Sequence, residues 1–264
     1  MPIVWVETDT PLPDAGQALP GGLVAAGMDL SPARLHEAYS KGLFPWYSPG
    51  DPVLWWSPDP RMVLRCEDLR ISRSLAKRIR QFGREPVAIG GLCVTLNRAF
   101  PQVIAHCADR GTPRISVGAA RSGQHWAAPE SAEGRDSTWI TPDIIQVYTD
   151  WHAQGHVHSV ETWIDGRLAG GLYGVSLGRC FFGESMFSLA ADTSKIALAY
   201  LVRYLQAQGV PWIDCQQETP HLASLGARPI PRGQFMALLA AGRNAGGPHW
   251  GCGRLMADGQ LRHF

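Results

Sequence analysis

What the chain lacks most plainly is an excess of either charge. Its 264 residues carry 24 Lys and Arg against 23 Asp and Glu, a formal net charge of +1. That balance excludes bulk attraction to a polyanion or an anionic membrane, so any such contact has to use a local patch. Charged residues make up 18% and hydrophobic ones 45%, which excludes a disordered polyelectrolyte. The six cysteines (Cys66, Cys93, Cys107, Cys180, Cys215 and Cys252) form no CxxC pair and no Cys/His run with zinc-finger spacing. Their pattern predicts reduced thiols in a cytoplasmic protein. No apolar run approaches the ~18 residues of a membrane span. The first residues have no basic stretch leading into an apolar one, so no secretion signal is expected. GxGxxG and P-loop runs are missing, which speaks against nucleotide-dependent ligase or kinase chemistry, and Ser185 has no GxSxG around it. His152 and His156 have helical spacing, but Gly155 ends the helix between them and no HExxH exists. No metal and no cofactor are expected. Without a heptad pattern, the chain is expected to be a monomer.

The chain is rich in tryptophan, with ten, and in proline, with 20. Residues 1–60 predict a small N-terminal domain with one clear helix: Ser31 at the N-cap, Pro32 at N1, Leu35, Ala38 and Tyr39 inward, and Gly42 at the end. Leu43 to Pro60 carries so many prolines that it reads as a rigid, extended, turning loop with neither a helix nor a central strand. From Met62 the pattern alternates. Met62–Cys66 reads as a strand, and Ser72 caps a helix that turns Leu75, Ile79 and Phe82 inward and stops at Gly83. A strand near Val87–Leu96 and a helix near Arg98–Cys107 follow. Arg110–Ser137 has no hydrophobic periodicity and reads as a long exposed loop or insertion. Thr141-Pro142 opens another helix, ending at Gly155. Val157–Ile164 and Arg167–Val175 form a hairpin through Asp165-Gly166, followed by Cys180–Phe187. Ser194–Gln208 is a periodic helix, Val210–Cys215 a short strand, and Gly233–Gly242 holds a last helix. The predicted class is α+β: a small N-terminal domain, then residues 61–264 as a mixed sheet flanked by helices.

Several residues could carry chemistry. Asp214 and Gln216, two apart at a strand end, point the same way if the strand alternates. They could orient an amine, or simply hydrogen-bond a loop. Glu184 lies among Phe181, Phe182, Met186 and Phe187, where a lone carboxylate is expensive to bury without a cation. That cation could be a substrate ammonium or guanidinium, or a protein Arg. The tryptophans of the Trp46–Trp56 stretch and Trp139 offer flat rings in polar loops, suited to stacking on bases or to closing a core edge. Arg73, Lys77, Arg78, Arg80 and Arg84 put five cations into residues 73–84, a patch able to hold phosphates or a solvated helix face.

Taken together, Gly42-Leu43-Phe44-Pro45-Trp46-Tyr47, Trp55-Trp56-Ser57-Pro58-Asp59-Pro60-Arg61, Gly183-Glu184-Ser185-Met186-Phe187-Ser188, Ile213-Asp214-Cys215-Gln216 and Ala223-Ser224-Leu225-Gly226 are more specific than any one segment. The chain resembles the bacterial leucyl/phenylalanyl-tRNA–protein transferases from about Gly21 to Arg243. The resemblance implies a larger domain of the GNAT-like acyltransferase fold. It also implies transfer of Leu or Phe from Leu-tRNA or Phe-tRNA to proteins with N-terminal Arg or Lys, marking them for degradation. On the same resemblance Asp214 and Gln216 match the catalytic pair and Glu184 the acidic acceptor position. Trp139 matches the ring against the terminal adenosine, and Trp46 and Tyr148 two further aromatic positions. Phe181, Met186 and Ile213 match an apolar pocket for the Leu or Phe side chain, in which Leu172 stands where the family has Met. Arg110–Ser137 is longer than the family's usual link. An acyl-CoA-dependent acyltransferase of the same fold is the rival reading, but Met186–Lys195 has no pyrophosphate-binding glycines. A non-enzymatic RNA- or peptide-binding module is a second.

Overall fold

The computed structural model describes residues 3–84, 91–109 and 138–264, without the side chains of residues 81–84. The predicted strand start at Val87 and the predicted loop Arg110–Ser137 lie outside the described residues, as does the Arg84 side chain. The N-terminal part comprises β1 (Val4–Val6), β2 (Leu23–Gly27), α1 (Pro32–Ser40), β3 (Phe44–Pro45) and β4 (Val53–Trp56), with a four-stranded sheet ordered β1-β2-β4-β3. Helix α1 starts as its cap dictates: the Ser31 side chain accepts from Arg34 N. Gly42 ends it at φ +73°, a conformation in which a Cβ would also strike Met236.

The proline-rich stretch departs from its reading. β4 is a central strand, paired with β2 on one side and β3 on the other. Pro52 and Pro58 flank it rather than interrupt it, so Val53–Trp56 keeps every N–H for the ladders.

The rest of the chain builds a nine-stranded mixed sheet ordered β11-β5-β10-β9-β8-β7-β6-β12-β13. In chain order its elements are β5 (Arg61–Arg65), α2 (Arg73–Arg84), β6 (Leu92–Leu96), α3 (Phe100–Ala108), α4 (Pro142–Ala153), β7 (Val157–Ile164), β8 (Arg167–Leu177), β9 (Cys180–Ser188), α5 (Thr193–Ala207), β10 (Trp212–Asp214), α6 (Pro220–Ser224), β11 (Arg228–Ile230), α7 (Arg232–Gly242), β12 (Gly253–Leu255) and β13 (Leu261–His263). Helix α2 begins after the Ser72 cap, whose Oγ accepts from Leu75 N, but runs through Gly83 to Arg84. Asp165 and Gly166 both take positive φ, +53° and +74°, as a two-residue hairpin requires.

Two apolar layers cover the sheet. One packs α3, α4 and α7 on one face and continues without a break into α1 and the small sheet, through Leu35, Tyr39, Phe44 and Trp55. The other packs α5 and the buried Leu75 and Ile79 of α2 on the opposite face. No helix among the described residues is long and apolar enough to cross a membrane.

Candidate active site

β10 and β9 are parallel neighbours, paired only through Ile213–Phe181 and Asp214–Phe182. Beyond that pair β9 runs on to Ser188 while β10 stops, so a crevice opens past the strand's carboxyl end, where ligands of open α/β sheets commonly bind. The crevice holds a cavity of about 270 Å³ lined by Phe44, Pro45, Trp46, Trp139, Glu184, Cys215, Gln216, Gln217, Thr219 and Leu222. Trp46 is exposed and packs edge-on against Trp56, whose indole N–H holds the Trp46 carbonyl at 2.7 Å.

Glu184 reaches this cavity because β9 bulges. Tyr173 pairs with Ser185 and Gly174 with Gly183, leaving Glu184 with no partner opposite on β8. Such an extra residue re-aims its side chain. The Glu184 Oε1 accepts from the Tyr39 hydroxyl at 2.7 Å and from Gln216 Nε2 at 3.1 Å. Tyr39 in turn meets the Tyr148 hydroxyl at 2.6 Å. Among the described residues, no Lys or Arg nitrogen lies within 4.0 Å of Glu184. Burial pushes its carboxyl up to about 8, and nearby Asp214 adds to the rise; the Tyr39 hydrogen bond and the Arg61 charge oppose it.

Asp214 is placed differently from the expectation that its carboxylate joins Gln216 at the reacting groups. It is fully buried and does not line the cavity. Arg61 grips it with two prongs, Nε to Oδ1 at 2.9 Å and Nη2 to Oδ2 at 2.6 Å. Oδ1 also accepts the Gln216 backbone N–H at 3.0 Å. The Asp214 carboxylate therefore meets the Gln216 backbone through a turn, while the Gln216 side chain goes to Glu184: β10 ends at Asp214, and Gln216 sits at φ +56°. A non-glycine residue held there costs of order 1–3 kcal/mol and persists only where its surroundings over-determine it. Here they do, because Met62 N donates to the Gln216 carbonyl at 3.2 Å and Cys215 N to the Met62 carbonyl at 2.9 Å.

The remaining predicted site residues divide. Trp46 and Trp139 line the cavity. Tyr148 is fully buried; its hydroxyl meets that of Tyr39 and also hydrogen-bonds towards Glu184, helping to oppose the rise of that carboxyl. Leu172, Phe181 and Ile213 are buried in the opposite apolar layer, and Met186 packs against it half-buried. Met186 also lines a second cavity of about 590 Å³ with Ser188, Ser194, Lys195 and His221. On α2, Arg73, Lys77 and Arg80 are exposed, whereas Arg78 is tied to Asp192 at 2.8 Å. Cys215 lines the cavity, but burial and Asp214 push its thiol well up, so it stays protonated. Sequence reasoning missed Arg61 and Tyr39. A buried Asp needs a cation, and a Tyr on an inward helix face needs a partner for its hydroxyl; those were the available signals.

Comparisons with known proteins agree with one another. A family model described as leucyl/phenylalanyl-tRNA protein transferase matches residues 124–240, and one for that family's N-terminal domain matches residues 28–59. The leucyl/phenylalanyl-tRNA–protein transferase of Bordetella petrii is 52% identical over 264 residues, covering 99% of this chain and 96% of its own. That of Methylibium petroleiphilum is 53% identical over 91% of this chain and 83% of its own. That of Chromobacterium violaceum is 49% identical over 90% of each.

Proposed function

The chain belongs to the leucyl/phenylalanyl-tRNA–protein transferase family, and from that premise we propose how its crevice moves Leu or Phe from tRNA to the α-amine of proteins beginning with Arg or Lys. The observation that carries the reading is the Gln216–Glu184 hydrogen bond on the wall of a cavity edged by Trp46 and Trp139. With Nε2 committed to Glu184, the Gln216 side-chain oxygen is left to accept from the attacking amine. An α-amine has an ordinary pKa near 7.7–8.0, so an appreciable fraction is neutral at physiological pH. Its nitrogen attacks the ester carbonyl carbon; the C–N bond forms, the bond to the ribose oxygen breaks, and that oxygen takes the amine proton. An ester becomes an amide, so the step is downhill and needs no ATP. Holding amine and carbonyl in line supplies several kcal/mol of the acceleration.

Glu184 selects the acceptor. Burial makes its ionised form unfavourable, and an incoming ammonium or guanidinium relieves that penalty, whereas a neutral side chain does not. Trp139 and Trp46 stack the terminal adenosine. The Leu or Phe side chain passes through the gap between β9 and β10 towards Met186, with Leu172, Phe181 and Ile213 as the apolar layer behind it. An apolar pocket of this kind rejects polar side chains strongly and separates Leu from Phe only modestly. The exposed cations of α2 take tRNA phosphates, which position without reading sequence. The parting of parallel β9 and β10 supports a GNAT-like acyltransferase fold for residues 61–264, with residues 1–60 as a smaller N-terminal domain completing the cavity.

The test is transfer of labelled Phe from tRNA to a peptide beginning with Arg, without ATP. Label in that peptide and not in one beginning with Asp is expected. Label from acetyl-CoA instead would overturn the reading.

A further inference from the structure

Resting on the reading above, we infer that Arg61 is a positioning residue for transfer, holding the Gln216 amide on Glu184 through the buried carboxylate of Asp214. Arg61 touches neither the cavity nor any group proposed to react, and it is fully buried. Four contacts fix it. Its guanidinium lies between the rings of Phe44 and Phe235, 4.8 and 4.4 Å from their centroids. Its Nη1 donates to the Gly42 carbonyl at 3.1 Å, and its other two nitrogens engage both oxygens of Asp214. This leaves Asp214 one orientation, in which Oδ1 faces the Gln216 N–H. That hydrogen bond stands at the residue whose backbone is left-handed; without it only the Met62 pairing opposes the strain, and the turn shifts enough to carry the side-chain amide off Glu184.

The arrangement also joins three distant parts of the chain. Gly42 and Phe44 come from the end of α1 and β3, Asp214 from β10 and Phe235 from α7. The loop carrying Gln216 is thereby indexed against the part carrying Trp46, which lies two residues beyond Phe44. Lysine cannot replace arginine here, because a point charge cannot satisfy both carboxylate oxygens and lie flat between two rings.

The experiment compares wild type, Arg61→Lys and Arg61→Ala in steady-state transfer of Phe to an Arg-peptide, with folding followed by near-ultraviolet circular dichroism. For Arg61→Lys, which keeps charge and stem, kcat is expected to fall about a hundredfold through misplacement of the reacting groups, with KM for Phe-tRNA changed by less than about threefold. For Arg61→Ala, guanidinium chloride at millimolar concentration is expected to restore part of kcat, and ammonium chloride none. Wild-type kcat in a folded Arg61→Lys overturns the inference, as does a loss confined to KM. Should Arg61→Ala not fold, the Arg61→Lys result alone decides; should it fold, failure of guanidinium to rescue counts against the role. If wild type itself transfers nothing, the functional reading falls instead of the role of Arg61.

Discussion

Two glutamates stand on the same face of the large sheet, one on β7 and one on β9, with burial raising both above the ordinary carboxylate range. Glu161 is sealed: the Thr95 and Ser159 hydroxyls donate to it, and it caps the start of α3 by accepting from Arg98 N at 3.4 Å and Ala99 N at 3.3 Å. Every lone pair in use is matched from within, beside the positive end of a helix. Glu184 has a phenol and an amide for company, and one side of it faces a cavity. Burial of a carboxyl is therefore not what marks a working site. What marks it is an acceptor left unfilled where something from outside can arrive.

The sharpest test of that difference is Glu184→Ala, expected to lower transfer to an Arg-peptide by about two to three orders of magnitude while leaving Phe-tRNA affinity near normal; unchanged turnover would remove the distinction. Glu184→Gln should level the rates for Arg-peptide and neutral-peptide acceptors, and equal loss on both would argue against charge selection. At Glu161 the effect moves from activity to stability. Glu161→Ala strands two hydroxyls and two backbone donors and is expected to destabilise the fold by about 3 kcal/mol in denaturant titration, with kcat within a few-fold of wild type.

A gentler probe uses pH. The Glu184 carboxyl is raised in the folded state from an ordinary value of 4.5 to about 8. The folded chain then holds a proton that the unfolded chain has released, so the stability this contributes is complete below about 4.5 and is lost as pH rises towards 8. Wild type should show this decline and Glu184→Gln only the part due to Glu161. Saturating Arg-peptide should flatten it for Glu184 and leave the part due to Glu161 untouched. The smallest effect lies away from both glutamates: Lys77→Glu with Arg80→Glu should reduce the salt slope of tRNA binding by about 1.4–1.8, two phosphate contacts' worth. An unaltered slope would put the tRNA elsewhere.

Much of the fold was legible because its signals are local. Ser31-Pro32, Thr141-Pro142 and Asp165-Gly166 each dictate a cap or a turn within four residues, and each does so here. The reading failed where proline was weighed by density rather than position: Pro52 and Pro58 bracket β4 and leave it free to pair on both sides. At the site, Glu184, Gln216, Trp46 and Trp139 could be named from motif and resemblance. The bulge that aims Glu184 and the turn that aims Gln216 could not, since both arise from pairing with other strands. Nor could Arg61 be tied to Asp214, 153 positions away, or Tyr39 to Glu184, 145 away. Sequence spacing carries no information on such partners.

The cavity wall draws on Phe44 and Trp46 early in the chain, and on nothing further until Trp139, Glu184 and Cys215 to Leu222. During translation, at about 5–20 residues per second, the first aromatics must wait roughly ten to thirty-five seconds for the last of their neighbours to be made. Tyr39 of α1 meanwhile lacks the rings it packs against, Trp151 of α4 and Phe182 of β9. The cavity wall is therefore incomplete until Leu222 has been added to the growing chain.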